Sequence, residues 1–523
     1  MSTAAATQSI TLTVEGRQIS VPAGTSILEA AKAAGILIPH YCYHPGLPVA
    51  GVCRMCLVEV EKQPKLAPAC ATSVTEGQVV HVHSDKALEA RKGVLEMLLI
   101  NHPLDCPICD QAGECELQDY TFKEGRGEGR YHEPKRFNPV EDFGGDVVYV
   151  ANRCILCTRC VRFMEDVAHD AVLNVSERGD RALIGKFEGQ DLTHPWAGNV
   201  IDLCPVGALL SKDSLNKARA WEVDRAASVC NGCSQGCNMM VETRDNVVVR
   251  LRPRPNDDVN KYFMCDHGRL NYRWMNRQDR LDVPHVRGPT GMGATDWDGA
   301  LQAAAKTIAG KRAFVLASPN LSNEALYLLS RIIKKTNGVG VVRVPQGDAA
   351  PLTGVDDLAL RADRAANADG AELLGFSKSA NPLSGLKTGD VLIIADEELA
   401  GIEAPNISAA SAVIVVGTAM PEWAKAKATV VLPTANMAEE DGTFTNLRGR
   451  VQRFMQAKAA PAFARPTWWV LADLCSAAGH QANYFLAQDV FAALAAEVPA
   501  FGGMSYDSLG LKGREVAGTK AGR

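Results

Sequence analysis

Cys154-Ile155-Leu156-Cys157-Thr158-Arg159-Cys160-Val161-Arg162-Phe163-Met164 decides how this chain is read. Its spacing, C-x2-C-x2-C, opens the bacterial iron-sulfur run C-x2-C-x2-C-x3-C-P, in which thiolates a short turn apart reach adjacent irons. The next ligand of that run falls at position 164, where methionine stands. A fourth thiolate must come from elsewhere, and Cys204-Pro205-Val206-Gly207-Ala208 supplies the Cys-Pro ending. Cys154, Cys157, Cys160 and Cys204 therefore read as one [4Fe-4S] site, not the two of an eight-cysteine ferredoxin.

Working outward, fifteen of the sixteen cysteines and one histidine fall into four such sets, all ahead of residue 266. Cys42, Cys53, Cys56 and Cys70 read C-x10-C-x2-C-x13-C, a variant of the plant-type [2Fe-2S] loop. Gly46 and Gly51 let that loop curl so that N–H groups face the sulfurs. The competing zinc ribbon usually needs two C-x2-C knuckles, and this set has one. His102, Cys106, Cys109 and Cys115 read H-x3-C-x2-C-x5-C. A lone histidine is more often structural, but here it completes a count that is otherwise one ligand short. A neutral imidazole in place of a thiolate stabilises the oxidised cluster less and raises its potential. Cys230, Cys233, Cys237 and Cys265 read C-x2-C-x3-C-x27-C, expected to hold a third [4Fe-4S] cluster, with zinc as the competing reading. Cys475, in the apolar run Trp468-Trp-Val-Leu-Ala-Asp-Leu-Cys475, is expected to be a buried small hydrophobe.

The rest of the composition narrows the class. At 523 residues the chain is too long for one core, and its apolar content of 46% and charged content of 22% are those of a folded globular protein. A formal net charge of −5 gives no basic face for nucleic acid. No apolar run approaches the roughly 18 residues of a membrane span, and the amino terminus lacks the basic and apolar regions of an export signal. Cysteines in a long chain without such a signal read as metal ligands, not disulfides. Gly125-x-Gly127-x-x-Arg130 and Gly291-x-Gly293-x-x-Asp296 both fail as dinucleotide fingerprints, and no phosphate-binding P-loop is present.

Periodicity then divides the chain. Thr11 to Val14 and Gln18 to Val21 alternate around Glu15-Gly16-Arg17 as a hairpin. Thr25 is expected to cap a helix through Ile27, Leu28, Ala30, Ala31 and Ala34 that ends at Gly35, with strands at Leu57 to Val60 and Val79 to Val82. His81 and His83 are expected at a sheet edge. Lys86 to Ile100 has helical periodicity, and Gly125 to Arg130 is a charged linker. After about residue 280 cysteine almost vanishes. Apolar runs at Ala313 to Ala317, Val391 to Ala395 and Ala412 to Val416 then alternate with helical stretches such as Ser322 to Thr336, as in an open parallel sheet. The runs Asp257-Asp258 and Glu439-Glu440-Asp441 read as solvated loops, and the tail from Lys512 as frayed.

Cys42-x-His44-Pro45, Cys53-Arg-Met-Cys56, the His102 block, Cys154-Ile-Leu-Cys157-Thr-Arg-Cys160-Val-Arg-Phe163 and Cys204-Pro-Val-Gly-Ala-Leu209 together resemble the large iron-sulfur subunit of bacterial respiratory NADH:quinone oxidoreductase, complex I. The later segments Glu440-Asp-Gly-Thr-Phe-Thr-Asn446 and Gly449-Arg-Val-Gln452 resemble the molybdopterin-dependent oxidoreductases. The resemblance implies an α+β fold followed by α/β: a β-grasp [2Fe-2S] ferredoxin-like domain over 1–85, a histidine-plus-three-cysteine [4Fe-4S] domain over 86–125, an all-cysteine [4Fe-4S] domain over 126–222, a molybdopterin-oxidoreductase-type [4Fe-4S] domain over 223–280, and a shortened molybdopterin-oxidoreductase-like α/β domain over 281–523 without bound molybdopterin. It implies electron relay from FMN on a partner subunit toward quinone, coupled in the whole complex to proton translocation. The expected partners are the FMN/NADH-binding subunit and the downstream iron-sulfur subunits, with membrane contact only through partners at the cytoplasmic face of the inner membrane. A NAD-dependent formate dehydrogenase would need a second cluster in the third region, which Met164 opposes. An iron-only hydrogenase would need a later cysteine constellation. A zinc-binding structural module is the remaining rival.

Overall fold

A computed structural model describes residues 8–399 and 407–517. Two compact units divide the chain, one from Met1–Glu222 with Leu352–Asp356, the other from Val223–Pro351 with Asp357–Arg523.

The first unit begins with the expected hairpin, Ser9–Val14 paired antiparallel with Arg17–Pro22. Glu15 and Gly16 turn it with φ of 48° and 74°. The hairpin joins a five-stranded sheet in the order Arg17–Pro22, Ser9–Val14, Val79–His81, Leu57–Val60, Ala67–Pro68. One helix, Ile27–Ala33, packs Ile27, Leu28, Ala30 and Ala31 against Leu12, Val14, Val58 and Val80. Its cap is Ser26, not Thr25. Ser26 Oγ accepts from the Glu29 N–H at 3.2 Å, while the Thr25 hydroxyl donates to the Pro22 carbonyl at 2.7 Å and is spent in the preceding turn. His81 also departs from expectation, because its strand is central to the sheet and its ring meets Glu61, just past the neighbouring strand, at 3.0 Å.

Helix Asp85–Leu99 leads from this sheet to the second ligand set, which is followed by helix Glu116–Glu124. The glycine-rich linker is coil, and Arg130 fastens it to that first helix through Glu96 at 2.8 and 2.7 Å. The third region pairs strands Val140–Gly144, Val147–Val150 and Leu209–Ser211, with short helices Arg159–Arg162 and Asn199–Leu203. Met164 lies in a π-helical turn, Phe163–Val167, and is fully buried.

In the second unit a three-stranded antiparallel sheet, Asp224–Val229, Asn238–Arg244 and Val247–Pro253, carries Cys230, Cys233 and Cys237 of the fourth set in its first turn. An eight-stranded sheet follows. Its order is Gly291–Ala294, His285–Gly288, Val430–Pro433, Ala412–Gly417, Val391–Ala395, Ala313–Ala317, Val339–Val342, Ser377–Lys378, and the strands from Val430–Pro433 onward are mutually parallel. Alternate residues of the central strands feed two cores. Val315, Ile393 and Ile414 face helices Trp297–Ile308, Asn323–Lys335 and Thr467–Ala477, whereas Phe314, Leu392 and Val413 pack with Leu281, Ala424 and Ala428. Burial on both faces explains why these runs are apolar at every position, each fully buried Val, Leu or Ile stabilising by about 1.5–3 kcal/mol. Cys475 is buried on the last of these helices, as expected, and donates to the Leu328 carbonyl at 3.2 Å.

Two expectations for this unit are corrected. Glu439 and Glu440 are not a solvated loop; both are buried, beside the strand Gly442–Thr445. Arg280 donates to both Glu439 oxygens at 2.7 Å and compensates that carboxylate, whereas Glu440 accepts from the Thr467 N–H at 2.5 Å and burial pushes its carboxyl well above the usual range, which keeps it neutral. Part of the polar tail is paired as well: Arg514–Glu515 lies antiparallel to Arg450–Val451, while residues 518–523 fall outside the described residues.

Arg280→Ala leaves the Glu439 carboxylate buried without its bidentate partner. It is expected to destabilise the second unit by about 3–5 kcal/mol in denaturant titrations, with much of the loss recovered when Glu439→Leu is added to Arg280→Met.

Candidate functional site

The first ligand set is held by the long loop between the helix Ile27–Ala33 and the strand Leu57–Val60, with Cys70 just past the strand Ala67–Pro68. Cys56 Sγ and Cys70 Sγ are 3.4 Å apart, and the Cys42 N–H points at Cys53 Sγ from 3.5 Å. Hydrogen bonds from Cys53 and Cys70 hold the Cys42 thiol well below its ordinary value, so it ionises first. The expected ligands of this set are thus in mutual contact. Gly51 adopts a φ of 64°, the left-handed turn that lets the loop close.

In the second set Cys109 and Cys115 are buried, and Cys106 is exposed on the turn Cys106–Ile108. Burial pushes the Cys115 thiol up to about 11, offset by the Gln118 and Leu117 N–H groups at the helix terminus that Cys115 caps. His102 Nδ1 is buried with no hydrogen-bond partner among the described residues. Burial, assisted by Lys135 and Arg153, lowers its imidazole to about 4, which keeps the ring in the neutral form that ligates metals. Arg153, paired with Asp105 at 2.9 Å, acts on both His102 and Cys109.

Cys154, Cys157, Cys160 and Cys204 line one partly open cavity. Ile155, Ile184, Val206, Ala208 and Leu209 complete an apolar wall. Burial pushes Cys154 up to about 11 and Cys157 up to about 12. Backbone N–H groups counter it, from Leu156 to Cys154 Sγ at 3.4 Å and from Val206, Leu209 and Ala208 to Cys204. Four thiols around one apolar space, supplied with N–H donors, fit a thiolate-ligated cluster, and binding it would displace the thiol protons.

In the fourth set Cys230, Cys233 and Cys237 occupy the turn between Asp224–Val229 and Asn238–Arg244, and Cys265 caps helix Asp266–Leu270. All four are buried. Gly232 and Gly268 donate N–H groups to Cys230 Sγ and Cys265 Sγ, each at 3.4 Å. A Cβ on Gly268 would come within 2.9 Å of Cys230 Sγ, so only glycine fits against that sulfur. Among the described residues no group of three or more His, Cys, Asp and Glu side chains closes around a single-ion position.

Two residues that sequence reasoning passed over belong to these sites. Tyr149, buried on the strand Val147–Val150, lines the third cavity and hydrogen-bonds Cys154 with a phenol that burial keeps neutral. Its strand pattern alone marks it only as inward-facing. Gly207 lies where a Cβ would collide with Cys109 Sγ and crowd Gln111, so the loop bearing Cys204 packs directly on a cysteine of the second set. Its place in Cys-Pro-Val-Gly-Ala was the available signal. Gly207→Ala is expected to displace Cys109, costing about 1–3 kcal/mol of packing and lowering the iron and acid-labile sulfide recovered per chain. Wild-type content and thermal stability in that variant would contradict the contact.

Family models match the chain in succession: a 2Fe-2S iron-sulfur cluster binding domain over residues 7–85, the NADH-ubiquinone oxidoreductase-G iron-sulfur binding region over 91–130, the ferredoxin-like domain of NADH-quinone oxidoreductase subunit 3 over 144–210, the molybdopterin oxidoreductase Fe4S4 domain over 224–277, and molybdopterin oxidoreductase over 363–477. The G subunit of NADH-quinone oxidoreductase from Rickettsia bellii is 41% identical over 329 residues, 62% of this chain and 48% of that protein. The mitochondrial NADH-ubiquinone oxidoreductase 78 kDa subunit of Candida albicans is 46% identical over 294 residues, 56% of this chain and 41% of its own. A chain of an NAD+-reducing [NiFe]-hydrogenase in the H2-reduced state is 29% identical over 40% of this chain and 90% of that one, with a TM-score of 0.36, too loose a likeness to argue from. This chain spans about half the length of the Rickettsia relative it matches. Over the matched residues, this chain is a homologue of the large iron-sulfur (G) subunit of NADH-quinone oxidoreductase.

Proposed function

We propose that the chain is the electron-carrying iron-sulfur subunit of an NADH:quinone oxidoreductase, passing electrons singly from FMN on a partner subunit toward quinone. The whole complex couples this to proton translocation. Cys42, Cys53, Cys56 and Cys70 hold one [2Fe-2S] cluster. Three [4Fe-4S] clusters are held by His102 with Cys106, Cys109 and Cys115, by Cys154, Cys157, Cys160 and Cys204, and by Cys230, Cys233, Cys237 and Cys265. The partners are the FMN/NADH-binding subunit and downstream iron-sulfur subunits, and the chain sits peripherally at the cytoplasmic face of the bacterial inner membrane. No helix among the described residues is long and apolar enough to cross a membrane.

The observation that carries this reading is the third cavity, where four cysteines from two distant segments surround one apolar space. The clusters supply reversible one-electron storage when bound. The chain's own residues fix the sulfurs, aim backbone N–H groups at them and exclude water, which together set the potentials. The first three sets are the proposed relay, and the fourth, which matches the molybdopterin oxidoreductase Fe4S4 domain, is read as no part of it.

Quantifying iron, acid-labile sulfide, zinc and molybdenum in anaerobically prepared protein tests the proposal. Iron and sulfide near fourteen atoms each per chain are expected from one two-iron and three four-iron clusters, without zinc or molybdenum. Zinc in place of sulfide would overturn it, and stoichiometric molybdenum would favour a formate dehydrogenase-like molybdoenzyme. His102→Cys is expected to keep a cluster in the second set but to lower its midpoint potential, because a thiolate stabilises the oxidised state more than a neutral imidazole does. An unshifted or raised potential in a redox titration would remove His102 from the ligand set.

A further inference from the structure

The proposed relay sets are joined at two arginines that the ligand spacing does not explain. Arg162, at the end of helix Arg159–Arg162, donates from Nη2 to the Cys42 carbonyl at 2.5 Å and to the Cys157 carbonyl at 3.3 Å. One guanidinium nitrogen thus lies between the backbone of a first-set ligand and that of a third-set ligand. Its Nη1 donates to the Pro48 carbonyl, and its Nε to Thr158 Oγ1 at 3.3 Å. Arg159, 4% exposed, donates to the Tyr43 carbonyl at 2.8 Å and the Leu203 carbonyl at 3.2 Å, and reaches Glu116 at 3.4 Å. Tyr43 adjoins Cys42, Leu203 adjoins Cys204 and Glu116 adjoins Cys115. Arg159 itself stands between Cys157 and Cys160, so it touches a neighbour of a ligand in each of the three sets.

The two arginines differ in charge balance. Arg159 meets the Glu116 carboxylate, whereas the hydrogen bonds of Arg162 go to three carbonyls and a hydroxyl, all neutral. Besides the Cys157 and Cys42 thiols, the carboxylate of Asp166, exposed to solvent four residues along, acts on Arg162. A guanidinium stays charged at any physiological pH, and in a partly buried position its field is weakly screened. A nearby cation stabilises the added electron of a reduced cluster and so raises its potential.

We propose that Arg162 is a positioning residue for electron transfer between the first and third sets: its hydrogen bonds fix the two ligand loops against each other, and its charge raises the potentials of both clusters together. This rests on reading those sets as [2Fe-2S] and [4Fe-4S] sites. In the step concerned, one electron leaves the reduced first-set cluster and enters the oxidised third-set cluster. No atom or proton moves, and Arg162 stays protonated throughout.

The test is an electron paramagnetic resonance redox titration of the full chain with its clusters, as wild type, Arg162→Gln and Arg162→Lys. In Arg162→Gln the reduced-to-oxidised ratio of both clusters at the wild-type midpoint is expected to fall about tenfold, a downward shift of about 59 mV for one electron. Arg162→Lys keeps the charge and is expected to restore both potentials most of the way, which lost packing alone would not produce. Intact clusters with only one potential moved, or neither, would overturn the proposal. Should Arg162→Gln fail to assemble clusters, the exposed Asp166→Lys decides: at low ionic strength both potentials are expected to rise, and unmoved potentials overturn the idea. Absence of the two cluster signals from the wild-type protein would instead defeat the reading of the sets themselves.

Discussion

Most thiols of the proposed ligand sets, and the His102 imidazole, sit where burial opposes their ionisation, and the local structure around each set answers that constraint. Burial, aided by neighbouring thiolates, pushes Cys154 up to about 11 and Cys157 up to about 12, and holds Cys160 well above its ordinary value. Offsetting it requires backbone N–H groups aimed at sulfur, and these come from tight turns and helix starts. Hence Cys115 and Cys265 cap helices, Cys204 ends one, and Cys230 sits on a turn whose glycine donates to it. Hence also the glycines at 207 and 268, where a single methyl would strike a ligand sulfur.

The regular elements serve as frames for these loops. In the first unit the β-grasp sheet and its helix form a compact core that leaves the long segment from Gly35 to Met55 free to wrap the first set. In the second, the turn of the small antiparallel sheet holds Cys230, Cys233 and Cys237 and the following helix start holds Cys265, while the eight-stranded sheet carries no proposed ligand and builds its cores from alternating apolar residues. The two architectures divide the labour between ligand-bearing loops and a conventional α/β body.

Much of this was legible in the sequence, for identifiable reasons. Ligand spacing along the chain is a one-dimensional signal, so the four sets could be drawn from cysteine positions, and the cavity shared by Cys204 with Cys154, Cys157 and Cys160 joins what Met164 had separated. The hairpin at Glu15-Gly16 and the helix between Ser322 and Thr336 were legible because turn and cap chemistry is local. The errors came where tertiary partners decide. Glu439 looks solvated until Arg280, far away in the chain, meets it, and Thr25 looks like a cap until its hydroxyl is taken by Pro22. Strand order in the large sheet, the inward Tyr149 and the bridging Arg159 and Arg162 all depend on contacts that no local pattern encodes.

The account therefore stands on whether these sets hold electron carriers of distinct kinds. The most direct measurement is electron paramagnetic resonance of the reduced, anaerobically purified chain, counting spectrally distinct clusters over a range of temperatures. One fast-relaxing group attributable to three [4Fe-4S] centres and one slower-relaxing [2Fe-2S] signal are predicted. A protein silent in every one of these signals, with its cysteines occupied by zinc, would contradict it.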